Sequence, residues 1–215
     1  MKKRRPRFYF SFRSPFSWIA ARLLDERLTP TEQAEIEYIP FWEPDPQTLS
    51  RLHELGGEFL YIQMSREKHL YILQDIKRMT RSLGYQHAWP IDESPWWELP
   101  NLAYLAAQRL GKAREFRDAI YRARWEGGAN IHTVDVIRRV AAEVGLDPDR
   151  VAAAPDDPEI REEAAGALLR CYKDGVFGIP FLILGFEKFW GLDRVHPFIA
   201  AMRGTPYRYL AGGEQ

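Results

Sequence analysis

The chain has 215 residues, 46% of them hydrophobic and 28% charged, so it can hold one domain with an insertion or two small ones, and it is not disordered throughout. Lysine plus arginine and aspartate plus glutamate balance at 30 each, which argues against a nucleic-acid binder that works by general basicity. The single cysteine, Cys171, excludes an internal disulfide, and no apolar run approaches the length of a membrane span.

Residues 1–6 are basic but lead into no apolar signal stretch, because Arg7 and Arg13 interrupt it. A short tail and a cytoplasmic location are expected. Arg7-Phe8-Tyr9-Phe10 has the bulk of a strand, and Ile19-Ala20-Ala21-Arg22-Leu23-Leu24 the pattern of a helix. Between them Ser14 stands where an N-cap belongs and Pro15 at the first helical position, where its missing N–H costs nothing. The spacing predicts a helix over 15–27, stopped by Thr29-Pro30, and a second strand over 34–40. Residues 41–46, with two prolines, leave the sheet as a loop.

The pattern is then helical for more than a hundred residues. Helices are predicted over 47–55, closed by Gly56-Gly57, and from the Ser65 cap to Leu83, with Gly84 behind it. Leu70, Leu73, Ile76 and Met79 are expected to form one face of the longer helix. A long loop over 85–99 carries Pro90, Pro95, Trp96 and Trp97, and long loops of this kind are often functional. Further helices are expected over 100–110, 113–125, 133–144 and 149–154, and from the Asp157 cap to Lys173. Pro180 opens an apolar strand after a glycine-rich approach, a place where proline is tolerated and a cis bond is a typical device. A tight hairpin follows, and then a last helix opened by Leu192 and Asp193.

A helix N-terminus presents free N–H donors and the positive end of the dipole, so the neighbourhood of Ser14 favours an anion, a thiolate included. Ser14 and Ser17 cannot attack a disulfide, so dithiol chemistry is excluded at this turn. Cys171 lies inside a helical pattern and reads as core filler. The five histidines have no metal-type spacing, so no metal is expected. Trp42, Trp96, Trp97 and Trp125 suit either the core or the wall of an apolar pocket for a flat conjugated substrate. Arg13 suits either the surface or a substrate carboxylate.

Strand, helix and strand at one end, with Pro-strand, hairpin and helix at the other, is the thioredoxin layout. Ser14-Pro15-Phe16-Ser17 stands in the place of Cys-Pro-X-Cys. With Gly175-Val176-Phe177-Gly178-Ile179-Pro180 and Phe189-Trp190-Gly191-Leu192-Asp193-Arg194, the chain resembles the DsbA-like thioredoxin superfamily. Within it, the chain is similar to the 2-hydroxychromene-2-carboxylate isomerases and kappa-class glutathione transferases. The resemblance implies an α/β, thioredoxin-like fold with a large all-helical insertion between the second and third strands. The expected lobes are 7–43 with 166–205 for the thioredoxin part and 44–165 for the insertion, with tails at 1–6 and 206–215.

The resemblance also implies glutathione, or another low-molecular-weight thiol, as cofactor. Ser14 would hydrogen-bond its sulfur. Ile179, held by a cis bond to Pro180, would pair with its cysteinyl backbone. The Leu192 backbone and Asp193 would meet its glutamyl end, and Lys68 its glycyl carboxylate. Arg13, Phe16, Trp42, Trp96 and Trp97 are the candidate substrate-pocket residues. Two departures stand out: Leu192 where relatives often carry a polar residue, and the 41–46 loop where they often carry an asparagine. The implied activity is cis–trans isomerisation of a small apolar or aromatic unsaturated carbonyl compound by reversible thiolate addition. The alternatives are a kappa-like transferase, a double-bond isomerase tailoring a polyene or acyl product, and a non-catalytic thiol-binding protein. No nucleic acid or membrane is expected as partner; a homodimer is carried over from the relatives.

Overall fold

The computed structural model describes residues 4–62 and 64–207. The chain forms two compact units, Met1–Ile39 with Gly178–Gln215, and Pro40–Phe177.

The first unit is built on a four-stranded mixed sheet in the order β2-β1-β3-β4. Strand β1 (Arg7–Phe10) is buried at all four positions, as an interior strand covered on both faces must be. Its aromatic side chains pack edge-to-face, Phe8 on Tyr38 at 5.5 Å and Phe10 on Phe12 at 5.3 Å. Helix α1 (Pro15–Arg27) follows with the Ser14 cap and Pro15 placed as predicted. The β2 strand (Glu37–Pro40) is shorter at its start than predicted. Strands β3 (Phe181–Leu184) and β4 (Glu187–Trp190) form the hairpin, antiparallel to each other, and β3 runs antiparallel to β1. Strand β4 is an edge: Phe189 points inward while Glu187, Lys188 and Trp190 are exposed, and the charges discourage pairing with another chain.

The unit departs from expectation at three places. Thr29-Pro30 does not merely stop α1; it starts a short helix, α2 (Pro30–Glu35). The Thr29 hydroxyl accepts from the Glu32 N–H, and the Glu32 carboxylate accepts from the Thr29 N–H, a reciprocal capping box. Residues 4–6 are not a loose tail. Arg5 donates to the carbonyls of Ala34 and Glu35, and the Pro6 carbonyl accepts from the Glu37 N–H at 2.8 Å. The last helix, α10, spans Val195–Arg203; Leu192–Arg194 forms a separate 3-10 turn before it. Arg203 near its end clasps the Glu32 carboxylate at 2.7 and 3.0 Å and draws its pKa down to about 2. Residues 1–3 and 208–215 of the expected tails lie outside the described residues.

The second unit is helical. Its elements are α3 (Pro46–Glu54), α4 (Arg66–Leu83), α5 (Glu98–Arg109), α6 (Ala113–Tyr121), α7 (Val134–Glu143), α8 (Pro148–Ala152) and α9 (Pro158–Lys173). Every residue of α5 from Glu98 to Ala107 is buried, the polar Glu98 and Asn101 included, because α6, α7, α8 and α9 pack around that helix. Helix α9 packs on α3 and α5 and belongs wholly to this unit. The expected lobe boundary at 165/166 would have cut through it. On α4 the buried row is Ile72, Ile76 and Thr80, not the predicted Leu70–Leu73–Ile76–Met79 face; Leu70 is exposed. Cys171 is buried, its thiol against the Pro40 carbonyl at 3.8 Å, and burial pushes its pKa far up.

The helix predicted over 113–125 changes character after Tyr121. Arg122–Glu126 is a π-helical turn, and the wider turn puts two consecutive residues, Arg124 and Trp125, in the interior. Arg124 forks onto Asp92 at 2.7 and 2.8 Å, and its guanidinium lies over the rings of Trp97 and Trp125. His132 Nε2 stands 3.3 Å from the same carboxylate. The long segment before α5 is thus fixed to the helical core at Asp92. The Ala88 N–H fixes it again, donating to the Trp125 carbonyl at 2.8 Å. Burial alone would raise the Asp92 carboxyl; the bonds and charge of Arg124, with those of His132, outweigh it and hold it well below the carboxylate range. Asp92→Asn keeps the shape but leaves a buried guanidinium without its counter-charge. It should lower stability by about 3 kcal/mol in urea unfolding, the low end for a broken buried pair because Asp92 is partly exposed.

Candidate active site

The β1–β3 register sets Arg7 opposite Ile183, Phe8 opposite Leu182 and Tyr9 opposite Phe181. Carried one residue further, it puts Phe10 beside Pro180, so the turn leading to Ser14 and the Ile179-Pro180 bond lie at the same end of the sheet. That bond is cis, as the sequence led us to expect. From the other side Trp190 pairs with Phe181, and the Gly191 N–H donates to the Pro180 carbonyl at 3.0 Å. Three segments therefore meet at one edge: residues 11–14, 178–180 and 191–194.

Each segment offers hydrogen-bonding groups that the fold leaves free. Ser14 is half-buried, and its Oγ accepts from the Ser17 N–H at 3.2 Å, which leaves the hydroxyl hydrogen available to donate outward. Pro15 has no N–H, and no acceptor among the described residues takes the Phe16 N–H, so the helix terminus keeps an open donor beside Ser14. Neither the N–H nor the C=O of Ile179 is bonded to a described residue. The same holds for the N–H groups of Leu192 and Asp193, at the start of the turn before α10. The Asp193 carboxylate is exposed and paired with Arg194. Arg13 is exposed and Phe16 half-buried. Ser17 is wholly buried, with no hydrogen-bond partner for its Oγ among the described residues.

Glycine is required at two places here. A Cβ on Gly178 would sit 2.7 Å from Trp190 Nε1, so the indole lies close against the backbone that leads to Ile179. Gly191 has φ +104°, and a Cβ there would meet an Asp193 carboxylate oxygen at 2.8 Å. Trp190 is half-exposed and forms an aromatic wall that the sequence reading assigned no role. The alternation of β4, Phe189 in and Trp190 out, is the signal that finds it.

The remaining candidates belong to the helical unit. Lys68 is exposed in the first turn of α4. Trp42 and Trp97 are 2% and 6% exposed and are core residues, so the expectation that they wall an open pocket is corrected. Trp97 is held edge-on by His132 at 4.2 Å and lies under Arg124. Trp96 is partly exposed, its Nε1 3.4 Å from Asp45. Among the described residues no three His, Cys, Asp or Glu side chains are grouped to hold a metal ion. No helix among the described residues is long and apolar enough to cross a membrane.

Residues 7–203 match the family described as the DSBA-like thioredoxin domain. The 2-hydroxychromene-2-carboxylate isomerase of Sphingobium xenophagum is 30% identical over 193 residues, 87% of this chain and 92% of that protein. Among solved structures, a 2-hydroxychromene-2-carboxylate isomerase superimposes with a TM-score of 0.71 at 21% identity, covering 93% of this chain and 94% of the other. A probable DsbA oxidoreductase from Streptomyces coelicolor gives 0.68 at 17% identity, covering 95% and 92%.

Beside Trp42 lies a buried acid that the sequence reading did not single out. Glu98 is fully buried at the start of α5. One carboxyl oxygen accepts from the Asp45 N–H at 2.8 Å; Trp42 Nε1 approaches without reaching hydrogen-bond geometry, and Oε2 has no partner among the described residues. Burial pushes the group up to about 7, the Asp45 N–H only partly offsetting it. The folded pKa lies above the ordinary 4.5, so the stability it gives is full below about pH 4.5 and is lost as pH rises through about 7. Glu98→Gln should therefore gain on the wild type between pH 5 and pH 8, by on the order of 2–3 kcal/mol, in urea midpoints taken at both values.

Proposed function

We propose that this chain, which belongs to the DSBA-like thioredoxin family, is a thiol-dependent cis–trans isomerase of an unsaturated carbonyl compound, with glutathione as its thiol. The observation that carries this reading is the meeting of an open helix N-terminus, a serine hydroxyl and an unpaired peptide at one sheet end. Its likeness to an isomerase supports the reaction class.

The residues fit a small thiol peptide. The Ile179 N–H and C=O, on a half-buried residue and bonded to no described residue, are open to pair with one extended residue as a strand would. The Leu192 and Asp193 N–H groups suit a carboxylate at one end of such a ligand, and the Asp193 carboxylate suits an ammonium. Bound glutathione would supply a thiolate that adds reversibly to the β-carbon of an unsaturated carbonyl, so that the former double bond turns as a single bond before elimination restores it. Ser14 donates its hydroxyl hydrogen to the sulfur, and the Phe16 N–H with the α1 dipole favours the anion over the thiol. Trp190 shields the site from one side. There is no net redox change, which agrees with a site that holds serines in place of cysteines and with a Cys171 thiol kept protonated in the core.

Isomerisation of a conjugated enone should require glutathione and give a product of unchanged mass; equal rates with and without the thiol would sink the mechanism. A stable glutathione conjugate would point to transfer instead. Ser14→Ala should cut turnover on the order of 10–100-fold, more than it weakens glutathione binding, and should cost about 1 kcal/mol of stability through the lost cap. Ser14→Cys should form a mixed disulfide with glutathione under mild oxidation, visible as added tripeptide in the intact mass. The wild type should stay unmodified, because its thiol is sealed.

A further inference from the structure

Within the helical unit, α4 and the segment that follows it border a shallow, open cleft of about 390 Å³, lined by Leu73, Lys77, Arg81, Tyr85, His87 and Trp89. We propose that this cleft binds a planar aromatic carboxylate. The inference does not rest on the thiol reading of Ser14.

Lys77 and Arg81 lie four residues apart, so both cations project from the same side of α4. Neither is paired with an acid among the described residues, whereas the neighbouring Arg78 is held by Asp75 at 2.9 Å. No acidic residue lines the cleft. The Thr80 hydroxyl is already used on the Ile76 carbonyl at 2.8 Å, which leaves the two cations as the groups that select an anion. An arginine fork and an ammonium together suit a carboxylate, one by two parallel hydrogen bonds and the other as a point charge.

The cleft is also lined by aromatic rings, and Trp89 among them is held in place. Trp89 is braced edge-on by Trp125 at 5.5 Å and by His87 at 5.6 Å. The backbone is pinned on both sides of His87, by the Tyr85 N–H on the Thr80 carbonyl and the Ala88 N–H on the Trp125 carbonyl, each at 2.8 Å. Burial lowers the pKa of His87, so at neutral pH its ring is uncharged and does not act as a third cation. A braced aromatic wall loses little freedom when a flat ring stacks on it, and the volume lies within the range of small-molecule sites.

The test is calorimetry of the full chain with 2-naphthoate and, in parallel, with 2-naphthalenemethanol, which keeps the ring and lacks the charge. The wild type should bind the acid more tightly than the alcohol. The exposed double variant Lys77→Gln, Arg81→Gln should lose roughly tenfold or more of its affinity for the acid and none for the alcohol. Ser14→Ala should bind 2-naphthoate as the wild type does, and inorganic phosphate should not displace it. Absence of binding to the wild type, equal affinity in the double variant, loss of binding in Ser14→Ala, or displacement by phosphate would each overturn the proposal.

Discussion

The pairing of β1 with β3 is the contact on which the candidate site depends. It joins the first strand of the chain to one that follows the entire helical unit, and it fixes Tyr9 opposite Phe181. The side-chain period of a strand is two, so a slip of one residue would turn Phe8 and Phe10 to the wrong face and carry Ser14 away from Ile179. The register is held by burial: all four β1 positions are sealed, and so are Phe181, Leu182 and Ile183. The site's precision is thus set by core packing, not by the hydrogen bonds at its surface. Those hydrogen bonds are what the packing leaves over for a ligand.

A helix N-terminus favours an anion whatever the atom at its cap. With sulfur there, the favoured anion belongs to the protein; under the proposed function, with Ser14 it is the thiolate of a bound ligand. The cap bond from the Ser17 N–H uses the Ser14 oxygen as acceptor and leaves its hydrogen free to be donated to a ligand. The second serine does not share this role. Ser17 is enclosed, and its Oγ cannot reach solvent.

The elements that were legible in the sequence are those written in local chemistry. Ser14-Pro15, the Ser65 cap with Gly84, and Asp157-Pro158 fixed the ends of α1, α4 and α9, because caps and prolines act within a few residues. The candidate site was legible as two motifs, and Ile179 and Leu192 were found through resemblance; no spacing in the sequence shows that their backbone groups are free. What was not legible depends on distant partners. The capping box of α2 is local, yet it was hidden behind a proline read as a stop. The α4 face was misassigned because Leu70 and Ile72 are equally apolar, and only tertiary packing chooses between them. The π turn at Arg122–Glu126 answers to Asp92, some thirty residues earlier, and periodicity carries no trace of it. Trp42 and Trp97 read equally well as core or pocket, and burial decided for core.

The helical unit carries two carboxyls whose environments send them in opposite directions. Asp92 meets a guanidinium in a two-pronged bond and a histidine, and stays ionised despite its burial. Glu98 is more deeply buried and receives one full hydrogen bond, from an uncharged N–H. The cation that acts on it, Arg161, is engaged elsewhere: it binds Asp45 at 2.8 Å and the Pro155 carbonyl at the same distance. Asp45, held ionised by its cap bond and by Arg161, adds a like charge beside Glu98. The difference therefore follows from where each arginine is committed, not from depth alone. It makes Asp92 a fixed tether for the segment that walls the α4 cleft, and leaves Glu98, at the start of α5, a carboxyl whose burial favours the protonated form.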